Sequence, residues 1–314
     1  MSPLHQMLNA ISVIMAIYLI ALILRKHQIL SEEHSLTFAR LVTDVCLPAI
    51  VFKGLASQSI RPDQLEPAGL MLLLEIACIS LAWAVTSLLG FSRSRQGAVV
   101  FCSAFGSSTF LGYSMVTQMY PGNGTALGEA VLISELGVGY PIFILGPVLA
   151  GCFGSERAGW KASLGFFRSP VFFALIGGLL WGILRLPGKD SALTAPLFHL
   201  ADVLSGALTP LAIISVGLMF RRPRVRVILL PLAIVVCIKL LLKPLVAGLA
   251  ASSLGFPEVW HDILVILAAM PPAVLGAVFL RRYGGDAELA STLLLTATLI
   301  SVATLMAVFW LVGT

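Results

Sequence analysis

The chain has 314 residues, 58% of them apolar and only 11% charged, against about 25% charged in a soluble domain. One or two soluble cores could not hide that much apolar surface, so lipid must solvate the outer faces, and an all-α integral membrane protein is expected. The net charge of +5 does not signal a nucleic-acid partner, because Lys and Arg fall between the apolar stretches and not along one face.

Apolar stretches of 18 or more residues read as membrane spans, and about ten such segments follow in chain order. They are Leu4–Leu24, Leu36–Leu55, Ala68–Phe91, Gly97–Met119, Leu127–Phe153, Pro170–Leu184, Leu197–Phe220, Val227–Leu254, Ile263–Leu280 and Leu289–Val312. The first is counted as a span because its basic residues, Arg25 and Lys26, follow it, the reverse of a signal peptide. The sixth is short. The linkers are brief, and the alternating pattern of a membrane barrel is absent. Five scattered cysteines form no CxxC or His/Cys cluster, so neither a metal site nor a disulfide framework is expected.

Lys and Arg are retained in cytoplasmic loops, and the loops divide sharply. One alternate set carries 14 of them, from Arg25 to Arg282, whereas the opposite loops and termini carry only Arg61, Arg185 and Lys189. Both termini are therefore expected on the outer side. The two halves also resemble each other. Arg25 matches Arg185, Asp44 matches Asp202 and Pro48 matches Pro210, at offsets of 160, 158 and 162. With five spans per half, residues 156–314 would repeat residues 1–155 upside down. Inverted repeats of this kind are a hallmark of secondary transporters, whose sites lie where broken helices meet near the midplane.

Two spans break their own helical pattern at corresponding places. Span four holds Gly106, Ser107, Ser108, Thr109 and Gly112, and span nine holds Met270, Pro271 and Pro272. Tandem prolines remove two backbone donors and clash with the preceding turn. Irregular backbone at membrane depth is tolerated only against protein or a water-filled cavity. The N-terminus of a half-helix there suits an anion, and these residues are the expected substrate site. Charged residues within spans are costly in lipid and usually functional. Lys239 is expected to contact the anion, with Glu75 or Asp202 holding its charge when the site is empty. Asp44, Glu75, Asp202 and Lys243 are the candidates for coupling or charge compensation. No HExxH or other catalytic constellation is visible, so an enzyme is not expected.

These segments resemble the auxin efflux carrier family of membrane transporters, including its bacterial malonate and malate permease-like members. The resemblance runs through "DVCLPAIVFKGL", "FGSSTFLG", "FRSPVFFALIGGLL", "LTPLAIISVGL", "IKLLLKPLV" and "AAMPPA…YGGD". It implies two inverted five-helix repeats with broken, crossing helices four and nine, a fold similar to that of sodium–bile acid symporters. It also implies a small organic anion as substrate, alternating access by rigid-body motion, and a bacterial inner membrane. Ser107 stands where the family commonly has Asn, and Ser169 where it usually has Asn in Arg-Asn-Pro. The expected function is secondary-active transport of a mono- or dicarboxylate. The alternatives are a sodium-coupled symporter of a larger amphipathic anion and a membrane-embedded ligand sensor. No cofactor is expected. Proton or sodium coupling and a homodimer are left open.

Overall fold

The computed structural model describes residues 3–57, 65–112, 115–116, 119–120, 124–154, 168–188, 191–219 and 225–312. Of the charges counted above, Arg61, Arg157, Lys161, Lys189, Arg221, Arg222 and Arg224 lie outside the described residues. The described chain is helical without a β-strand, as hydrocarbon demands of a chain that must satisfy its own backbone. The α-helices are α1 (Pro3–Lys26), α2 (His34–Leu41), α3 (Leu47–Ser57), α4 (Leu65–Leu88), α5 (Arg93–Ala104), α6 (Gly124–Ser134), α7 (Tyr140–Phe153), α8 (Pro170–Ile183), α9 (Ala195–Gly206), α10 (Leu208–Met219), α11 (Val225–Val235), α12 (Lys243–Ser253), α13 (Glu258–Ala269), α14 (Val274–Tyr283) and α15 (Ala287–Val312). Among the described residues, six helical stretches are long and apolar enough to cross a membrane: His34–Lys53, Leu65–Leu88, Glu129–Phe153, Ala195–Met219, Val227–Ser253 and Ala287–Val308.

Local chemistry sets several boundaries. Ser169 caps α8, its hydroxyl accepting from Phe172 N at 3.2 Å, with Pro170 at the first helical position. Gly284, at φ 77°, ends α14 in the left-handed conformation. The seventh span, expected as one helix, turns at Gly206–Ala207 between α9 and α10. Pro210 explains it, because its ring clashes with the carbonyl four residues back, at Gly206.

Four π-helical segments occur among the described residues: Val42–Cys46, Ser108–Gly112, Glu135–Gly139 and Val236–Leu242. Three share a cause. Pro48, Pro141 and Pro244 lie four residues beyond Asp44, Gly137 and Leu240, each inside a π segment. Widening the turn relieves the proline clash without breaking the helix. These segments hold Asp44, Glu135 and Lys239, three of the charged residues found at membrane depth.

The helices pack as two groups. In the first, α3 lies against α8 and α9, and α10 lies against α1 and α2. Arg25 Nη1 ties α1 to α10 by donating to Leu218 O at 2.8 Å. The second group contains α4 to α7 and α11 to α15, with α4 on α5, α12 on α13 and α5 on α15. The groups meet mainly where α14 touches α2 and α10. There Arg282 pairs with Asp44 at 2.9 Å and Arg281 donates to Glu32 O at 3.1 Å.

Candidate functional site at the helix crossing

Within the second group the chain leaves the helix twice. After α5 ends at Ala104, residues 105–107 are non-helical, and after α13 ends at Ala269, residues 270–273 are non-helical. Backbone groups released at membrane depth must find partners, and these two breaks satisfy each other. Ser107 N donates to Pro271 O at 2.8 Å, and Ala273 N donates to Phe105 O at 2.9 Å. Together they make an isolated antiparallel bridge between Gly106 and Pro272.

The crossing has two electrostatic sides. On one, the carbonyl ends of the first half-helices receive lysines. Lys243 Nζ donates to Ala104 O at 3.0 Å, and Lys239 Nζ donates to Ala268 O at 3.4 Å. A cation is favoured at a helix C-terminus. Lys243 also pairs with Glu75 at 2.6 Å, both side chains being 0% exposed. Glu75 Oε2 is buried without a hydrogen-bond partner among the described residues. Lys239 is fully buried too, and its Nζ lies against the first break, where a methyl group added at Gly106 would fall 2.8 Å from it.

On the other side lies a cavity of about 60 Å³. Gly106, Ser107 and Ser108 line it from the first break, and Ala273, Val274 and Leu275 from the second. The second half-helices thus begin at the cavity, which places the first turn of α14 at its wall, and among the described residues no side chain caps that turn. Thr209 lines it from α10, and Val138, Gly139, Ile142 and Phe143 line it from the fifth span. The Ser108 hydroxyl is held by Ser134 at 2.7 Å. Those of Ser107 and Thr209 make no hydrogen bond among the described residues. Beside the cavity, the Glu135 carboxylate folds back over Gly139, where an added methyl would fall 2.5 Å from Oε2.

The expected site residues separate into four sets. Gly106, Ser107 and Ser108 reach the cavity. Gly112, Met270, Pro271 and Pro272 are buried in the crossing and do not line it, and the side chain of Thr109 lies outside the described residues. Lys239, Lys243 and Glu75 stand behind the crossing, with Gly106 between Lys239 and the cavity. One assignment changes. The carboxylate of Glu75, expected to hold Lys239, pairs with Lys243 one turn further along. The π turn over Val236–Leu242 rotates all that follows it, and each residue displaced is worth about 100° of helix face. Asp202 is paired with Lys53 and Asp44 with Arg282, all in or against the first group and away from the cavity. Thr209 and the residues of the fifth span were missed by the sequence reading. Pro141 and Pro210 were the signals available for them.

The chain matches the family model described as membrane transport protein over residues 6–150 and 159–310. Among curated proteins it is 25% identical over 298 residues to an "Uncharacterized transporter" of Methanothermobacter thermautotrophicus, covering 93% of this chain and 94% of the other. It is 25% identical over 275 residues to a "Putative malonate transporter" of Rhizobium meliloti, covering 85% and 84%. It is 24% identical over 296 residues to the "Uncharacterized transporter YfdV" of Escherichia coli, covering 90% and 91%. All are named as transporters and none as an enzyme.

Proposed function

The chain belongs to the membrane transport protein family, that of the auxin efflux carriers, and from that premise we propose that it is a secondary-active transporter of a small organic acid anion. The observation that carries this reading is the polarity of the crossing. Half-helix N-terminal turns and free hydroxyls face the cavity, while two buried lysines stand behind it. Such an arrangement attracts a carboxylate. A cavity of 60 Å³ holds about four water-sized positions at ~15 Å³ each. A short aliphatic mono- or dicarboxylate suits that space better than an indole or a steroid. Malonate, the substrate in the name of one relative, is the first to test.

The same reading assigns ten spans in two inverted five-span halves, residues 1–155 and 156–314. Gly106 and Pro272, paired at the crossing, are 166 positions apart, close to the 158–162 spacing of the other repeat matches. The first packed group takes spans one, two, six and seven, and the second takes three to five and eight to ten, the same members from each half. Rocking of the second group against the first, hinged on the α14 contacts, would expose the cavity to each side in turn. The 14-to-3 division of loop charges supports an orientation with both termini outside, and the same reading sets the protein in the inner membrane of a bacterium.

Uptake of labelled malonate, succinate and butyrate into vesicles containing the purified protein tests the function. Flux above that of protein-free vesicles for at least one acid is expected, and none for any would refute it. Single cysteines replacing Ser2 and Arg224 test the orientation. An impermeant thiol reagent on intact cells should label position 2 and spare position 224.

A further inference from the structure

Resting on the transport reading, and going beyond it, is the charge balance behind the crossing. Three ionisable side chains, Lys239, Lys243 and Glu75, are buried together, two basic and one acidic. Glu75 neutralises Lys243 at 2.6 Å. Among the described residues, Lys239 donates one hydrogen bond to an oxygen, the neutral carbonyl of Ala268 at 3.4 Å. Glu75 is the acid that acts on it, while Glu258 and Asp262 stand toward the far end of α13 and Glu288 in the first turn of α15. From α4 come Glu75 and the thiol of Cys78. The near ends of α5 and α13 offer only the carbonyls of Ala104 and Ala268. In α15, no residue from Ala290 to Val312 is titratable. With all three groups charged, one positive charge stands uncompensated inside the protein, and leaving a buried charge unpaired costs several kcal/mol. The cluster can be neutral in two ways only: Lys239 gives up its proton, or an anion settles across Gly106 from it.

We propose that Lys239, Lys243 and Glu75 form a proton-binding site, and that each anion entering the cavity is accompanied by one proton taken up on this cluster. In the empty protein Lys243 balances Glu75 and Lys239 carries no charge. When the anion binds, a proton from the same side occupies the second amine, and the new charge on Lys239 faces the carboxylate over the bare Cα of Gly106. Release reverses both steps, so the proton leaves with the anion. A monocarboxylate then crosses with no net charge, and a dicarboxylate carries one negative charge. Sodium does not fit this position. A hard cation needs several oxygen ligands, and here the space at the two carbonyls is filled by amine nitrogens.

Proton counting on the full-length protein in detergent decides it. Malonate, succinate and butyrate are titrated calorimetrically at pH 8, where the acids themselves are ionised, in two buffers of different protonation enthalpy. About one proton taken up per anion bound is expected for the wild type. Lys239→Arg carries a permanent charge, so its anion binding should draw no proton. Anion binding by the wild type without proton uptake would overturn the proposal and leave the transport reading intact. Undiminished uptake in Lys239→Arg would equally remove Lys239 from the site. Binding of none of the three acids would remove both readings.

Discussion

Two regions pair a membrane-depth acid with a base, and they do so on opposite terms. At the crossing, Lys243 and Glu75 are 0% exposed and hydrogen-bonded into the broken helices. Lys53 and Asp202, within the first group, are 40% and 49% exposed, and Arg282 and Asp44, where the groups meet, are 26% and 38% exposed. In the sequence the three acids look alike, each an isolated carboxylate within an apolar run. Burial separates them. A pair open to solvent contributes at most about 1 kcal/mol, whereas removing one partner of a buried pair costs about 3–5 kcal/mol. At the contact between the groups, Arg282 and Asp44 thus form a weak, open pair, whereas the pair behind the crossing is strong and closed off.

The largest effect should come from breaking the buried pair. Glu75→Ala is expected to destabilise the protein by about 3–5 kcal/mol, read as a loss of thermal stability in detergent. Lys53→Ala or Asp202→Ala should cost at most about 1 kcal/mol. Equal shifts for all three would erase the contrast. Replacing both Glu75 and Lys243 with Leu sharpens it, because a buried pair exchanged for apolar side chains is near neutral for stability. That variant should stay folded and lose anion flux. Next in size is Pro271→Ala combined with Pro272→Ala. Restoring two backbone donors lets the break close, and malonate uptake should fall at least about tenfold, a loss of some 1.4 kcal/mol, with the protein still in the membrane. Gly106→Ala should act more mildly. Its methyl presses on the flexible end of Lys239 and meets Met270 Cβ at an ordinary 3.5 Å, so affinity should drop a few-fold while stability holds. Asp44→Asn is expected to change least, by about 0–1 kcal/mol, with flux measured at several pH values keeping its profile.

How much of this was legible beforehand follows from what a linear sequence encodes. The breaks were legible because Pro271-Pro272 and Gly106 change the backbone locally, wherever the helix goes. The charged residues were legible because each violates the solvent around it. The partner of Glu75 was not, since Lys239 and Lys243 share a face and only the three-dimensional approach of α4 selects one. Thr209 and Gly139 were invisible for a related reason. A cavity wall is contributed by several helices, and neither residue breaks a pattern on its own. Yet Pro48, Pro141 and Pro244 announce the widened turns that hold Asp44, Glu135 and Lys239, so the prolines of the apolar runs point to more of the molecule than their hydropathy does.

The bridge between Gly106 and Pro272 also bears on how such a protein can diverge. Its two hydrogen bonds join main-chain atoms, Ser107 N to Pro271 O and Ala273 N to Phe105 O. Side-chain replacement leaves these four atoms in place, and only proline at 107 or 273 deletes a donor. Mutational drift can therefore rewrite the lining of the cavity, as where Ser107 stands in place of the family's common Asn, without unfastening the scaffold that presents it. Relatives at 24–25% identity can thus share one joint and still select different cargo.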